Sequence, residues 1–147
     1  MKPQNEMDMS FESRSSNEAF ARCAVAAFLT QLDPTVSELN DIKTAVSEAV
    51  TNCVVHAYRD TIGKVYINVK IEENSLITIK IRDKGCGIEN IKRAMEPLFT
   101  TAPSDERAGL GFAVMESFTD KLKVSSKVGK GTTVTFQKRL SCRVENG

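Results

Sequence analysis

No stretch of this sequence approaches the roughly 20 consecutive apolar residues that a bilayer-spanning helix requires, so no membrane-embedded segment is expected. The N-terminal residues MKPQNEMDMSFESR lack the apolar core of a secretory signal, and a cytoplasmic location is the expectation. An excess of charge of one sign is also lacking. Lysine and arginine number 20 against 19 acidic residues, a formal net charge of +1. Direct binding to nucleic acid or to a membrane surface normally leaves a strong basic excess, and neither partner is expected. C-x-x-C pairs are missing too: Cys23, Cys53, Cys86 and Cys142 are scattered, with no second ligand nearby, which argues against a zinc site. Without a secretory context they are read as free thiols. Cys23 and Cys53 are placed on apolar helix faces, where a thiol acts as a small hydrophobe. Internal repeats, low-complexity tracts and linkers do not occur. What is there is an ordinary globular composition, 41% hydrophobic and 27% charged over 147 residues. Such a chain is read as a single domain, residues 1–147, that buries about two-thirds of its unfolded surface.

Met9–Ser13 reads as a short strand. Ser15-x-x-Glu18 has the capping-box pattern and opens an amphipathic helix to about Leu32. Asp33-Pro34 interrupts it, and Thr35-x-x-Glu38 offers a second box for a longer helix, Val36 to about Tyr58. Its apolar positions Val36, Leu39, Ile42, Val46, Ala49, Val50, Cys53 and Ala57 follow the helical period. The period then changes to two: Val65, Ile67, Val69 and Ile71, then Ile77, Ile79 and Ile81, predict a hairpin whose strands each bury one face. A short helix at about Asn90–Met95 precedes a long polar stretch, Pro97–Ala108, without periodicity. A third helix, Phe112 to about Thr119, and two strands, Leu122–Lys127 and Thr132–Lys138, close the chain. The order implies an α+β two-layer sandwich: a mixed, mainly antiparallel sheet with helices on one face.

Three segments carry candidate chemistry. Glu48, Asn52 and His56 are spaced i, i+4, i+8 and line one helix face. They supply a carboxylate acceptor, an amide oxygen suited to a hard cation, and a donor for phosphate. Asp83-Lys84-Gly85-Cys86-Gly87 ends an apolar strand. Its acceptor-only carboxylate can recognise an exocyclic amine, and its glycines allow a ligand close to the backbone. Arg107-Ala108-Gly109-Leu110-Gly111 precedes a helix, where orphan N–H groups suit a phosphate and an arginine can clamp it. The turn Gly129-Lys130-Gly131-Thr132-Thr133 places a hydroxyl before the last strand. Each segment alone also fits a solvated helix face or an ordinary turn. No G-x-x-x-x-G-K-[ST] is present, so a Walker-type P-loop is excluded, and neither Gly-rich turn joins a strand to a βαβ crossover helix as a dinucleotide fold needs.

Taken in order, the polar helix face, D-x-G-x-G, the polar stretch, G-x-G before a helix and G-x-G-T-T resemble the sequence boxes of the GHKL (Bergerat-fold) ATPase family, over roughly Thr35 to Phe136. The single histidine, His56, lies within that helix, leaving no candidate for a histidine-kinase phosphoacceptor. The segments QLDPTVSELNDIKTAVSEAVTNCVVHAY, PLFTTAP and ERAGLGFAVMESF are similar to the free-standing serine-kinase branch that antagonises bacterial sigma factors, its sporulation members more than its sigma-B-type members. The resemblance implies ATP or ADP with Mg²⁺ as cofactors. Glu48 is then the general base and Arg107 the γ-phosphate arginine. Asn52 becomes the Mg²⁺ ligand and His56 a phosphate contact. Asp83 reads adenine above Gly85 and Gly87, and Thr132 supports it. Thr100, Thr101, Gly109, Leu110 and Gly111 fall among the remaining nucleotide contacts. The implied partners are a sigma-F-type sigma factor, a STAS-domain anti-anti-sigma protein phosphorylated on serine, and a second copy of the chain, with Glu18 and Arg22 on the docking surface. Alternatives are a nucleotide-gated binding module without catalysis and a detached histidine-kinase catalytic domain. Cys86 and Ala108 depart from the family pattern, at positions that affect only fine nucleotide contacts.

Overall fold

The two stretches of alternating hydrophobicity fold into adjacent strands, β2 (Lys64–Glu72) and β3 (Leu76–Asp83), in a computed structural model that describes residues 4–91 and 111–141. The N-terminal strand β1 (Asn5–Glu12) starts earlier and is longer than the expected Met9–Ser13. It pairs with β2 along its full length, from Asn5 opposite Ile71 to Glu12 opposite Lys64. The closing strands β4 (Lys121–Lys127) and β5 (Gly131–Arg139) complete a five-stranded sheet in the order β1-β2-β3-β5-β4. Among the described residues every pairing is antiparallel, so the sheet is simpler than the mixed one expected.

Side chains in a strand alternate between faces. Val65, Ile67, Val69, Ile71, Ile77, Ile79, Ile81, Val134 and Phe136 therefore share the inner face, and all are buried. Against them pack α1 (Ser16–Leu29), α2 (Val36–Asn52) and α3 (Phe112–Ser117), contributing Val25, Leu29, Ile42, Val46, Val50, Phe112 and Met115 to one core. Burying an aliphatic side chain of this kind contributes about 1.5–3 kcal/mol. The outer face, with Tyr66, Asn68, Lys80 and Arg82, carries polar residues, as a sheet covered on one side should. Among the described residues no helix is long and apolar enough to cross a membrane.

The two expected capping boxes have different outcomes. At α2 the box forms: Glu38 N–H donates to Thr35 Oγ1 at 3.0 Å and Thr35 N–H donates to Glu38 Oε1 at 2.9 Å. Glu38 Oε2 also accepts from Ser141 N–H at 2.8 Å and from its hydroxyl at 3.0 Å, which ties the last described residue to the start of α2. Burial works to raise the Glu38 pKa, but these bonds outweigh it and the net shift is downward. At α1 the box does not form. Ser15 has helical backbone angles and makes no side-chain cap, while the Glu18 carboxylate turns instead to Arg22 and Ser47. Two exposure expectations are also corrected: Cys23 is exposed, and Val36, the first of the apolar positions assigned to α2, is 77% exposed. Replacing Thr35 with Ala should lower stability by about 1 kcal/mol, measured by urea unfolding. An unchanged midpoint would mean that the box adds nothing to α2.

Candidate functional site

Helix α2 points its C-terminal end at the Gly-rich turn after β3, and its geometry changes there. Beyond Asn52 the chain widens into a π turn, Cys53–Ala57, closed by Tyr58 N–H donating to the Cys53 carbonyl at 3.2 Å. Such turns are uncommon inside helices and concentrate at functional sites. The Ala57 carbonyl accepts the Cys86 N–H at 3.1 Å, so the turn after β3 is docked on the widened helix. Gly85 sits against that carbonyl so closely that any Cβ would collide with the Ala57 backbone and methyl. The glycine is required here by close approach, since no positive φ is recorded for it.

Asp83, at the end of β3, is 6% exposed and faces Thr132 of β5 across the sheet. Its Oδ1 accepts the Gly85 N–H at 2.9 Å and the Thr132 N–H at 3.2 Å, and its Oδ2 accepts the Cys53 thiol at 3.6 Å. Burial pushes the carboxyl pKa up, and the three bonds only partly counter it. The same burial, with Asp83 nearby, holds the Cys53 thiol well above its ordinary range, so it stays protonated and donates. Tyr58 steadies the turn from the other side, accepting the Lys84 N–H at 2.6 Å and donating to the Lys64 carbonyl at 2.8 Å. Ser126 of β4 accepts the Ile88 N–H at 2.8 Å and lies 2.8 Å from the Thr132 hydroxyl. The Gly129 N–H donates to the Cys86 carbonyl at 2.8 Å, tying the β4–β5 turn to the turn after β3.

Between these elements lies a cavity of about 250 Å³. Its walls are apolar where Ala49, Ile81, Ile88, Phe112 and Val134 line it, and Asn52, His56, Asp83 and Thr132 supply the polar groups. The structure thus gathers Asn52, His56, Asp83, Gly87 and Thr132 around one cavity, with Gly85 in the turn beneath. Cys86 also lines it, together with Arg59 and Glu89. Glu48 does not line this cavity. It faces a neighbouring groove with Glu18, Arg22, Asn40 and Ser47, and its carboxylate lies against Gly111, at the N-terminus of α3 (φ +68), where a Cβ would strike it. Burial raises the Glu48 pKa first, and the negative charge of Glu18 raises it further. Glu18 in turn accepts from Ser47 Oγ and from Arg22 Nη1, the latter at 3.4 Å, so Glu18, Arg22 and Glu48 share one groove. Thr100, Thr101, Arg107, Gly109 and Leu110 lie outside the described residues.

A nucleotide suits this donor set. An acceptor-only carboxylate set in apolar walls matches a flat base with an exocyclic amine. Among the described residues no group of three or more His, Cys, Asp or Glu side chains converges to hold a metal. Mg²⁺ is often held by only one or two protein oxygens plus substrate phosphates and water, a role for which Asn52 has the right chemistry.

Residues 11–138 match the model of the family described as histidine kinase-like ATPase domain. The chain belongs to that family. It is 55% identical over 140 residues to the anti-sigma F factor of Caldanaerobacter subterraneus subsp. tengcongensis, covering 95% of this chain and 97% of that protein. The anti-sigma F factor of Clostridium beijerinckii is also 55% identical, over 138 residues, with 93% of this chain and 96% of that protein covered. Among solved structures, the RsbU and RsbW domains of a Mycobacterium tuberculosis protein superpose with a TM-score of 0.68 at 18% identity, over 94% of this chain and 32% of that one. The catalytic domain of histidine kinase ThkA gives 0.53 at 12% identity, over 92% of this chain and 97% of that one. At such identities the structural likeness speaks for the fold alone. Family membership brings nucleotide binding with it, and the cavity beside Asp83 is where the described residues fit a nucleotide.

Sequence reasoning missed Ser126, Tyr58 and the bond from Cys53 to Asp83. Ser126 and Tyr58 hold the Gly-rich turns through single hydroxyls and leave no motif. Cys53 was legible only as one member of an apolar stripe.

Proposed function

We propose that this chain is an anti-sigma factor and a Mg²⁺-ATP-dependent protein-serine kinase, acting as a homodimer. In this reading it captures a sigma factor of the sigma-F type and phosphorylates a STAS-type anti-anti-sigma partner on serine. The observation that carries the reading is the 55% identity to anti-sigma F factors over nearly the whole chain, joined to a carboxylate, Glu48, that lines a second groove and lies against Gly111.

The placement of the described residues supports a division of labour. Asp83 and the apolar walls hold the base. Asn52 and His56 face the phosphate end, and Arg107 joins them from the resemblance. Bound Mg²⁺-ATP supplies the phosphoryl group and neutralises its charge. Phosphoryl transfer depends mainly on such positioning and charge compensation. Glu48 accepts the proton of the attacking serine hydroxyl, a task helped by a carboxyl pKa raised toward working pH. The groove containing Glu18 and Arg22 receives the protein partners, so docking and proton transfer occur side by side.

The decisive experiment incubates the chain with labelled ATP, a sigma-F-type factor and a STAS protein, then maps the label. Acid-stable phosphoserine on the STAS protein is the expected result. Acid-labile phosphate on a histidine of another protein would point to a detached histidine-kinase domain, and sigma capture without any transfer would point to a binding module. The pH profile adds a second check. Because the Glu48 pKa is raised from 4.5, transfer should fall as pH drops through a midpoint above that value. In Glu18→Gln one of the two causes of the rise is removed, so the midpoint should move to lower pH. A midpoint that stays in place would remove Glu18 from the control of Glu48.

A further inference from the structure

The thiol of Cys53 has no part in the roles given above, yet it is placed where the base would be read. Cys53 is 3% exposed, begins the π turn and lines the cavity. A hydroxyl or thiol inside a helix commonly donates back to a carbonyl one turn earlier. This one instead reaches across the two layers to Asp83 Oδ2 at 3.6 Å, a normal length for a sulfur donor.

The acceptor inventory of Asp83 gives that bond its meaning. A carboxylate oxygen accepts along about two lone-pair directions. Oδ1 already takes two N–H groups, from Gly85 and Thr132, and is full. Oδ2 takes the thiol, which leaves one direction open. We infer that Cys53 is a positioning residue for base recognition: its S–H fixes Asp83 so that a single acceptor faces the cavity, suited to an exocyclic amine and opposed to a 6-oxo purine. The inference rests on the nucleotide-site reading and deepens it. Without the thiol, Oδ2 is a buried oxygen lacking one partner. Water or a proton then takes the vacated direction, and a protonated carboxyl can donate to the carbonyl it formerly repelled. The charged and titratable groups that share the cavity, His56, Arg59, Cys86 and Glu89, and Tyr58 and Lys84 beside the turn are identical in all the variants below, so differences among variants belong to position 53.

The test is equilibrium binding of ATP and of inosine triphosphate to the full chain, for wild type and for Cys53→Ser, Cys53→Val and Cys53→Ala. Serine keeps a donor; valine fills the space without one; alanine does neither. Wild type and Cys53→Ser should prefer ATP by the same ratio. Cys53→Val and Cys53→Ala should bind ATP about five-fold more weakly, the worth of one ordinary hydrogen bond, with inosine triphosphate binding undiminished. A purely space-filling role predicts that valine behaves as wild type and serine no better than alanine, and either result overturns the inference. Unfolding midpoints of the ligand-free proteins are measured alongside; if the valine variant does not fold, the serine and alanine pair decides. Wild type failing to bind ATP overturns the nucleotide reading itself. Wild type binding ATP, with one ratio across all variants, overturns only the role of the thiol.

Discussion

Phosphate transfer to a STAS substrate should fall about 10²–10⁴-fold in Glu48→Ala, the usual worth of a positioned general base, while ATP binding stays near the wild-type value. The separation follows from geometry. Glu48 lies in the groove shared with Glu18 and Arg22 rather than in the cavity around Asp83, so truncating it would remove the proposed proton acceptor without touching the cavity walls. The measurement pairs single-turnover transfer of labelled phosphate with calorimetric ATP binding on the same preparation. Undiminished transfer would remove Glu48 from the chemistry. Loss of binding in step with transfer would place its carboxylate in the nucleotide site instead.

Asp83 should give the opposite pattern. Asp83→Asn keeps the shape but turns part of an acceptor-only group into a donor, and a bond to a charged partner is worth about 1.5–3 kcal/mol, so ATP affinity should drop by roughly 10- to 100-fold. Stability should move differently. The native pKa of Asp83 is raised from its ordinary 3.8, so the folded state holds this proton more tightly than the unfolded chain. The linkage therefore favours folding at acid pH and weakens as pH rises from 3.8 through the native value, then levels off. At neutral pH the ionised group is a cost to the folded state. Asp83→Asn should accordingly lose the part of the pH dependence that lies above 3.8 in urea unfolding curves. Retained ATP affinity would sink the base-reading role; a pH profile identical to wild type would sink the buried-charge account.

Much of the layout was legible because periodicity reports which face of an element meets the core. The alternation of Val65 to Ile71 and of Ile77 to Ile81 predicted β2 and β3 with their buried faces. The spacing of Glu48, Asn52 and His56 predicted one polar helix face, though not its division: Asn52 and His56 reach the cavity and Glu48 the adjoining groove. Three things escaped. The strand β1 begins with the polar Asn5 and Glu6, ahead of its Met7, Met9 and Phe11 alternation, and its length is set by pairing with β2. The box at Ser15 met its sequence rule but lost Glu18 to a tertiary contact with Ser47. The π turn packs against the Gly85 turn, a long-range contact that no local pattern encodes. The acceptor count at Asp83 was invisible for the same reason, since two of its three donors, Cys53 and Thr132, are brought to it only in three dimensions.

The pairing of Asp83 with Thr132 has a consequence for how this chain folds and finds its ligand. Strands β2 and β3 are joined by a short turn, and so are β4 and β5, so each hairpin can close locally at small entropic cost. The junction between the hairpins, β3 against β5, must close a far longer loop. The carboxylate that would read the base takes one of its donors from across that junction. A nucleotide read by Asp83 would therefore favour molecules in which the two hairpins have met. By mass action, each binding event draws the population toward the fully joined sheet. In this way a bound nucleotide would favour closure of the seam between the two hairpins.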